Sequence, residues 1–99
     1  MSQTISLNDA KTMTHAWQDS TYGSSSKKAV KFDADDVQSI LDEDGCEDMR
    51  VYFALNGDDD LTAVLVGVDS NNSDLTSGPI IDFGTICPPN CDPNTQLIK

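Results

Sequence analysis

The clearest pattern along the chain is a pair of strand-like runs, MRVYFAL and LTAVLVGV, at residues 49–55 and 61–68. In the first, Val51, Phe53 and Leu55 alternate with Arg50, Tyr52 and Ala54, the two-residue period of a strand with one face turned inward. The second is apolar at nearly every position, as a central strand with both faces covered would be. Asn56-Gly57 between them is a strong hairpin signal, and three aspartates, Asp58, Asp59 and Asp60, follow it. SNNSD makes the next turn. GPIIDFG then supplies a third, edge strand, with Pro79 at its start, where a missing N–H is tolerable. The pattern is that of a small antiparallel meander.

Two segments carry the helical period instead. FDADDVQSILDEDG places Asp33 at an N-cap, Phe32 and Val37 in the positions of a hydrophobic staple, and Val37, Ile40 and Leu41 on one stripe, with Gly45 as a natural stop. Upstream, TISLNDAKTMTHAWQ has Ser6 as a cap with Asp9 three residues later, followed by Ala10, Met13 and Trp17 at helical spacing. That stripe is read as a packed core face rather than an aromatic ligand site. Between the helices, STYGSSSKKAVK reads as a surface loop. The expected fold is therefore α+β, two N-terminal helices packed on a small antiparallel meander of two to three strands, with an irregular C-terminal tail. Val37, Ile40, Leu41, Val51, Phe53, Val64 and Val66 are the expected core.

The 99 residues suit one domain, with residues 5–86 as its body and 87–99 as a tail containing Pro and Cys. No basic n-region with an apolar h-region opens the sequence, and no run approaches a membrane span, so a cytoplasmic setting is expected. Charge sharpens the picture. Six Lys and Arg against seventeen Asp and Glu give a net charge of -11, which opposes direct binding to nucleic acid or anionic lipid. Residues 33–60 hold eleven of the seventeen acids, while Lys27, Lys28 and Lys31 are half of the bases.

Few chemistries find the residues they need. There is one histidine, His15, and no nucleophile elbow, phosphate loop, dinucleotide fingerprint or His-Glu-x-x-His pair. DSNNSDLTSGPI opens like a calcium loop, but Asp74 stands where Gly is required and Ile80 where a bidentate Glu is required. Asn71-Asn72-Ser73 is formally a glycosylation sequon without a secretory context. The cysteines leave alternatives. Cys46, Cys87, Cys91 and His15 reach the ligand count of a zinc site without its paired-knuckle grouping. A Cys87–Cys91 disulfide is sterically conceivable but sits poorly with a cytoplasmic setting. Their spacing around Pro-Pro is not that of a Cys-x-x-Cys redox motif. The expectation is a rigid, extended or turning tail with reduced, partly buried cysteines, and no cofactor or metal.

ISLNDA near the start, GCEDMRVYFAL, LTAVLVGVD and CPPNC together resemble a group of small uncharacterised proteins of Bacteroidetes-type bacteria. The similarity covers most of the chain in the same order. It implies a helical start, an Arg-Val-Tyr hairpin, a VGVD strand and a Cys-Pro-Pro-x-Cys end in a bacterial cytoplasmic protein, and no activity.

With no acid, base and nucleophile set to assemble, the expected function is non-enzymatic: an acidic protein-interaction module, such as an adaptor or an inhibitor or immunity-like protein, that meets a partner with a basic surface. Asp42, Glu43, Asp44, Glu47 and Asp48 surround a predicted helix C-terminus, where carbonyl ends add to the negative field, and Asp58, Asp59 and Asp60 are second contributors. The competing reading is a small metal-binding or thiol redox protein using Cys87 and Cys91. The pattern is compatible with a monomer or with a dimer paired through an exposed strand edge.

Overall fold

The computed structural model describes residues 2–20, 27–82 and 84–99, with α1 (Leu7–Asp19), β1 (Ala29–Lys31), α2 (Ala34–Leu41), β2 (Asp48–Leu55), β3 (Leu61–Val68), β4 (Ile80–Ile81) and β5 (Thr85–Cys87). This is an α+β fold with an irregular C-terminal region. The chain forms two compact units, one joining Met1–Ala29 to Ile86–Lys99 and the other made of Val30–Thr85. β1 and β5 pair as a two-stranded sheet. Residues 29–31 are thus a strand where the sequence reads as loop; residues 21–26 of that loop lie outside the described residues.

In the first unit, Ser6 caps α1 as its position predicts, its Oγ accepting from the Asp9 N–H at 3.0 Å. The helix does not bury its stripe: none of its residues is buried, and Met13 is 64% exposed. Its polar side chains explain why. Thr14 Oγ1 and Gln18 Nε2 donate to the Leu97 carbonyl at 2.8 and 3.0 Å, and His15 Nε2 donates to the Gln96 carbonyl at 3.1 Å. Lys99 closes the series, its N–H donating to Gln18 Oε1 and its ammonium pairing with Asp19. The helix therefore serves as a rail for an irregular backbone segment, which offers hydrogen-bond acceptors rather than an apolar layer.

Cys87 and Cys91 in this unit are joined by a disulfide, with Cα atoms 4.8 Å apart. This corrects the expectation of reduced thiols. A separation of four residues folded around Pro88 and Pro89 brings the two Cα atoms into the normal range for a bridge. Both the Cys87-Pro88 and Pro88-Pro89 peptide bonds are cis. Cys46 is the free cysteine.

The second unit holds the meander in the order β2-β3-β4, with Asp48 opposite Val68, Leu55 opposite Leu61 and Leu65 opposite Ile81. The hairpin is as the alternation predicts, but its connection is longer than a two-residue Asn-Gly turn. Asn56 N–H donates to the Asp60 carbonyl, Asn56 Oδ1 accepts from the Asp58 and Asp60 N–H groups, and the residue with positive φ is Asp59 (63°). An Asx-stabilised five-residue loop of this kind uses the Asn side chain as the turn template.

Asp33 takes the N-cap position of α2 with extended φ and ψ, though its side chain makes no cap hydrogen bond, and Gly45 adopts a positive φ of 82° just beyond the helix. α2 packs on β2, β3 and β4. A Cβ on Gly67 would stand 3.1 Å from Cys46 Sγ, 3.3 Å from Leu75 and 3.4 Å from Ile40, so the helix is seated over the Gly67 end of β3. Ile40 is fully buried and Val66 nearly so, while Val37 and Val64 are half-buried. Leu41, Val51 and Phe53 are not core residues. They are 46%, 46% and 88% exposed. For the two strand residues the reason is helix length: eight residues span about 12 Å, enough to cover the sheet face at Gly67 but not the stretch of β2 from Val51 to Phe53.

Candidate partner-binding surface

Two elements position the acidic residues singled out by the sequence. Asp42 is the C-cap of α2, and its carboxylate accepts from Gln38 Nε2 at 2.8 Å. Asp44, Glu47 and Asp48 follow as exposed residues around the turn into β2. Glu47 is anchored by its backbone, its N–H donating to the Val68 carbonyl at 2.8 Å, and the Asp48 carbonyl accepts from Cys46 Sγ. Glu43 behaves differently. A Cβ on Gly78 would stand 1.8 Å from Glu43 Oε1, and its Oε2 is buried with no hydrogen-bond partner among the described residues. Its carboxylate is tucked against the 78 backbone, so it contributes less to the displayed charge than its neighbours.

Asp58 and Asp59 project from the hairpin loop, with Asp60 half-buried beside them. The register separates this group from the first. Asp48 and Leu55 are the two ends of β2, so the acids sit at opposite ends of about 23 Å of strand rather than in one patch. Both groups nevertheless border the same strand, and β2 is an edge: β3 pairs along one side of it, and no strand among the described residues pairs along the other.

Between the two acidic groups lies a surface that the sequence reading sent inward. Side chains alternate along β2, so Met49, Val51, Phe53 and Leu55 share the face on which α2 sits, and each is exposed, Phe53 and Leu55 most of all (88% and 66%). The opposite face is closed by a polar clasp. Arg50 pairs with Asp74, Arg50 Nη2 donates to Asn72 Oδ1 at 2.6 Å, and the Tyr52 hydroxyl donates to Asp74. The Arg50 pKa is raised, first through its hydrogen bond with Tyr52 and then through the charge of Asp74; a guanidinium is protonated throughout the physiological range, so the clasp has no proton switch in it. No sequence signal marked the apolar strip as outward. The one available clue was arithmetical, since a single short helix stripe cannot cover two eight-residue strands.

No family model, curated protein or solved structure matches this chain. The site is therefore judged on its own chemistry. The calcium-like segment is a turn: Asp69 Oδ1 accepts the Asn71 and Ser73 N–H groups at 2.9 Å, Asn72 takes a positive φ of 64°, and Asp74 is committed to Arg50 and Tyr52. His15 is committed to a backbone carbonyl. Among the described residues no three His, Cys, Asp or Glu side chains group as metal ligands would, and none of the described helices is long and apolar enough to cross a membrane.

Proposed function

We propose that the chain is a non-enzymatic interaction module that holds a protein partner with a basic surface. The observation that carries this is the charge of one unit: Val30–Thr85 contains fourteen of the seventeen acids and two bases, Lys31 and Arg50. Arg50 is already paired with Asp74. A field of one sign at the surface speeds encounter with an oppositely charged protein and repels phosphate backbones and anionic lipid headgroups. Asp42, Asp44, Glu47 and Asp48 at one end of β2, with Asp58, Asp59 and Asp60 at the other, are the partner-facing carboxylates; Glu43 is the weakest of the set because of its inward carboxylate.

Affinity capture from the native cell, followed by association kinetics of the captured partner, tests the proposal. The variant Asp42→Asn, Asp44→Asn, Glu47→Gln, Asp48→Asn should associate more slowly and with a shallower salt dependence while keeping its fold, because screening shortens from about 10 Å at 0.1 M salt to about 3 Å at 1 M. A rate and salt slope equal to those of the unaltered chain would reduce the acids to a solubilising surface.

The Cys87–Cys91 bridge gives the thiol redox reading its one supporting observation. Cys87 is 4% exposed and Cys91 half-buried, whereas exchange requires an accessible sulfur and a stabilised thiolate; the burial of Cys87 supports a structural staple, with Cys91 as the side from which exchange would have to start. A reducing cytoplasm would hold these thiols apart and an oxidising compartment would hold the bridge, so the bridge supports a reading in which the chain meets oxidising conditions.

A further inference from the structure

The acids at the two ends of β2 and the exposed apolar strip between them belong to one surface, and that surface has the form of an open strand site. We propose that β2 takes an extended peptide segment of its partner as an added strand, with apolar side chains at alternate positions and lysine or arginine at both ends. This rests on the interaction-module reading and specifies its binding mode. Three observations carry it. β2 is a sheet edge of eight residues, so its outward backbone N–H and C=O groups are available to a further strand along its whole length. The other outer edge, β4, is two residues long. On the face beside that edge, Val51, Phe53 and Leu55 stand uncovered at the two-residue spacing that a paired strand would continue.

Charge chooses the occupant. Asp58 and Asp59 lie exposed past one end of β2, and Asp44, Glu47 and Asp48 at the other, so a strand with cationic ends is matched at both. A second copy of this chain is not. Antiparallel pairing of two β2 edges about their centre would set Asp58 and Asp59 of each copy beside Asp44, Glu47 and Asp48 of the other, with no cation from either strand except Arg50, which is held by Asp74 on its own chain. Like charges opposed in this way suppress the pairing.

The probe is a blocked, fluorescently labelled peptide, Lys-Lys-Val-Thr-Phe-Thr-Val-Lys-Lys, titrated by anisotropy against the intact chain at low salt. Saturable binding is expected, lost when the lysines are replaced by glutamate and lost when the backbone is N-methylated at alternate residues, which removes ladder donors without changing charge. Phe53→Thr, a substitution at a site too exposed to endanger the fold, should weaken binding by about tenfold or more. No saturable binding, or equal binding of the N-methylated peptide, would overturn the proposal. So would a dimer in analytical ultracentrifugation that Phe53→Thr dissociates, since the edge would then be filled by a second copy. A captured partner that responds to the carboxylate variant but not to Phe53→Thr would remove strand addition and leave the acidic module standing.

Discussion

The contrast between Ile40 and Phe53 gives the fold its sharpest test, because the sequence pattern assigns both to one core and the structure separates them. Ile40→Ala removes three carbons from a side chain with no exposed surface. At about 0.8 kcal/mol per buried methylene the transfer loss is about 2.4 kcal/mol, and the cavity left between α2 and β3 raises the total to about 3–4 kcal/mol. Phe53→Ala starts from a residue 88% exposed. With roughly a tenth of an aromatic side chain's ~200 Å² removed from water, its loss is about 0.5 kcal/mol at about 25 cal/mol per Å². Urea unfolding followed by far-ultraviolet circular dichroism measures both, with the slope against urea held constant as the check that only stability has changed. In a thermal scan the first variant should fall by more than about 10 °C and the second by a few degrees at most. A loss of about 3 kcal/mol or more for Phe53→Ala would mean that the β2 face is covered, and would refute both the packing described and the open-strand site built on it.

Gly84→Ala should destabilise the chain by about 1–3 kcal/mol, because the new Cβ would stand 2.2 Å from Val30 Cγ1 and 2.8 Å from the Phe32 ring; Gly78→Ala should cost under about 1 kcal/mol, since the atom in its way is the free end of the Glu43 side chain, and urea titration of the pair checks the difference. Thiol counting on native protein should find one reactive cysteine, Cys46, before reduction and three after it; three before reduction would remove the bridge. Reduction should lower stability by about 2 kcal/mol, the loop-entropy value for so short a closed loop, read from Trp17 fluorescence in the unit that contains the bridge. Asp74→Ala should release the clasp and accelerate amide hydrogen exchange over residues 71–75, measured by mass spectrometry, while exchange along β3 stays slow.

Much of this architecture was legible in the residues. The alternation in β2, the nearly all-apolar β3, the Ser6 cap and the α2 stripe each express a local rule, and each element is present, although α2 ends at Leu41, short of Gly45. What the pattern does not carry is the identity of the covering layer. Alternation in β2 distinguishes two faces of the strand but not which is covered, and apolarity alone points the face with Val51, Phe53 and Leu55 inward. Coverage depends on α2, whose eight residues end before reaching it. The stripe of α1 failed for a related reason, since what Thr14, His15 and Gln18 hold is backbone. Strands of three residues such as β1 and β5 have too little sequence for a period to register. The eight candidate carboxylates were legible as a group, but their division between two ends of a strand became visible only with the register.

The division of the chain into a continuous unit and a split one sets an order of events during synthesis. Val30–Thr85 contains all of its own residues in one stretch, so the meander and α2 can assemble once that stretch has left the ribosome. The other unit joins residues from the first third of the sequence to its last fourteen. Its helix acquires the acceptors for Thr14, His15 and Gln18 only when residues 96–97 have been made, and its disulfide awaits Cys91. At about 5–20 residues per second, α1 therefore waits several seconds for the backbone segment that it holds in the folded unit.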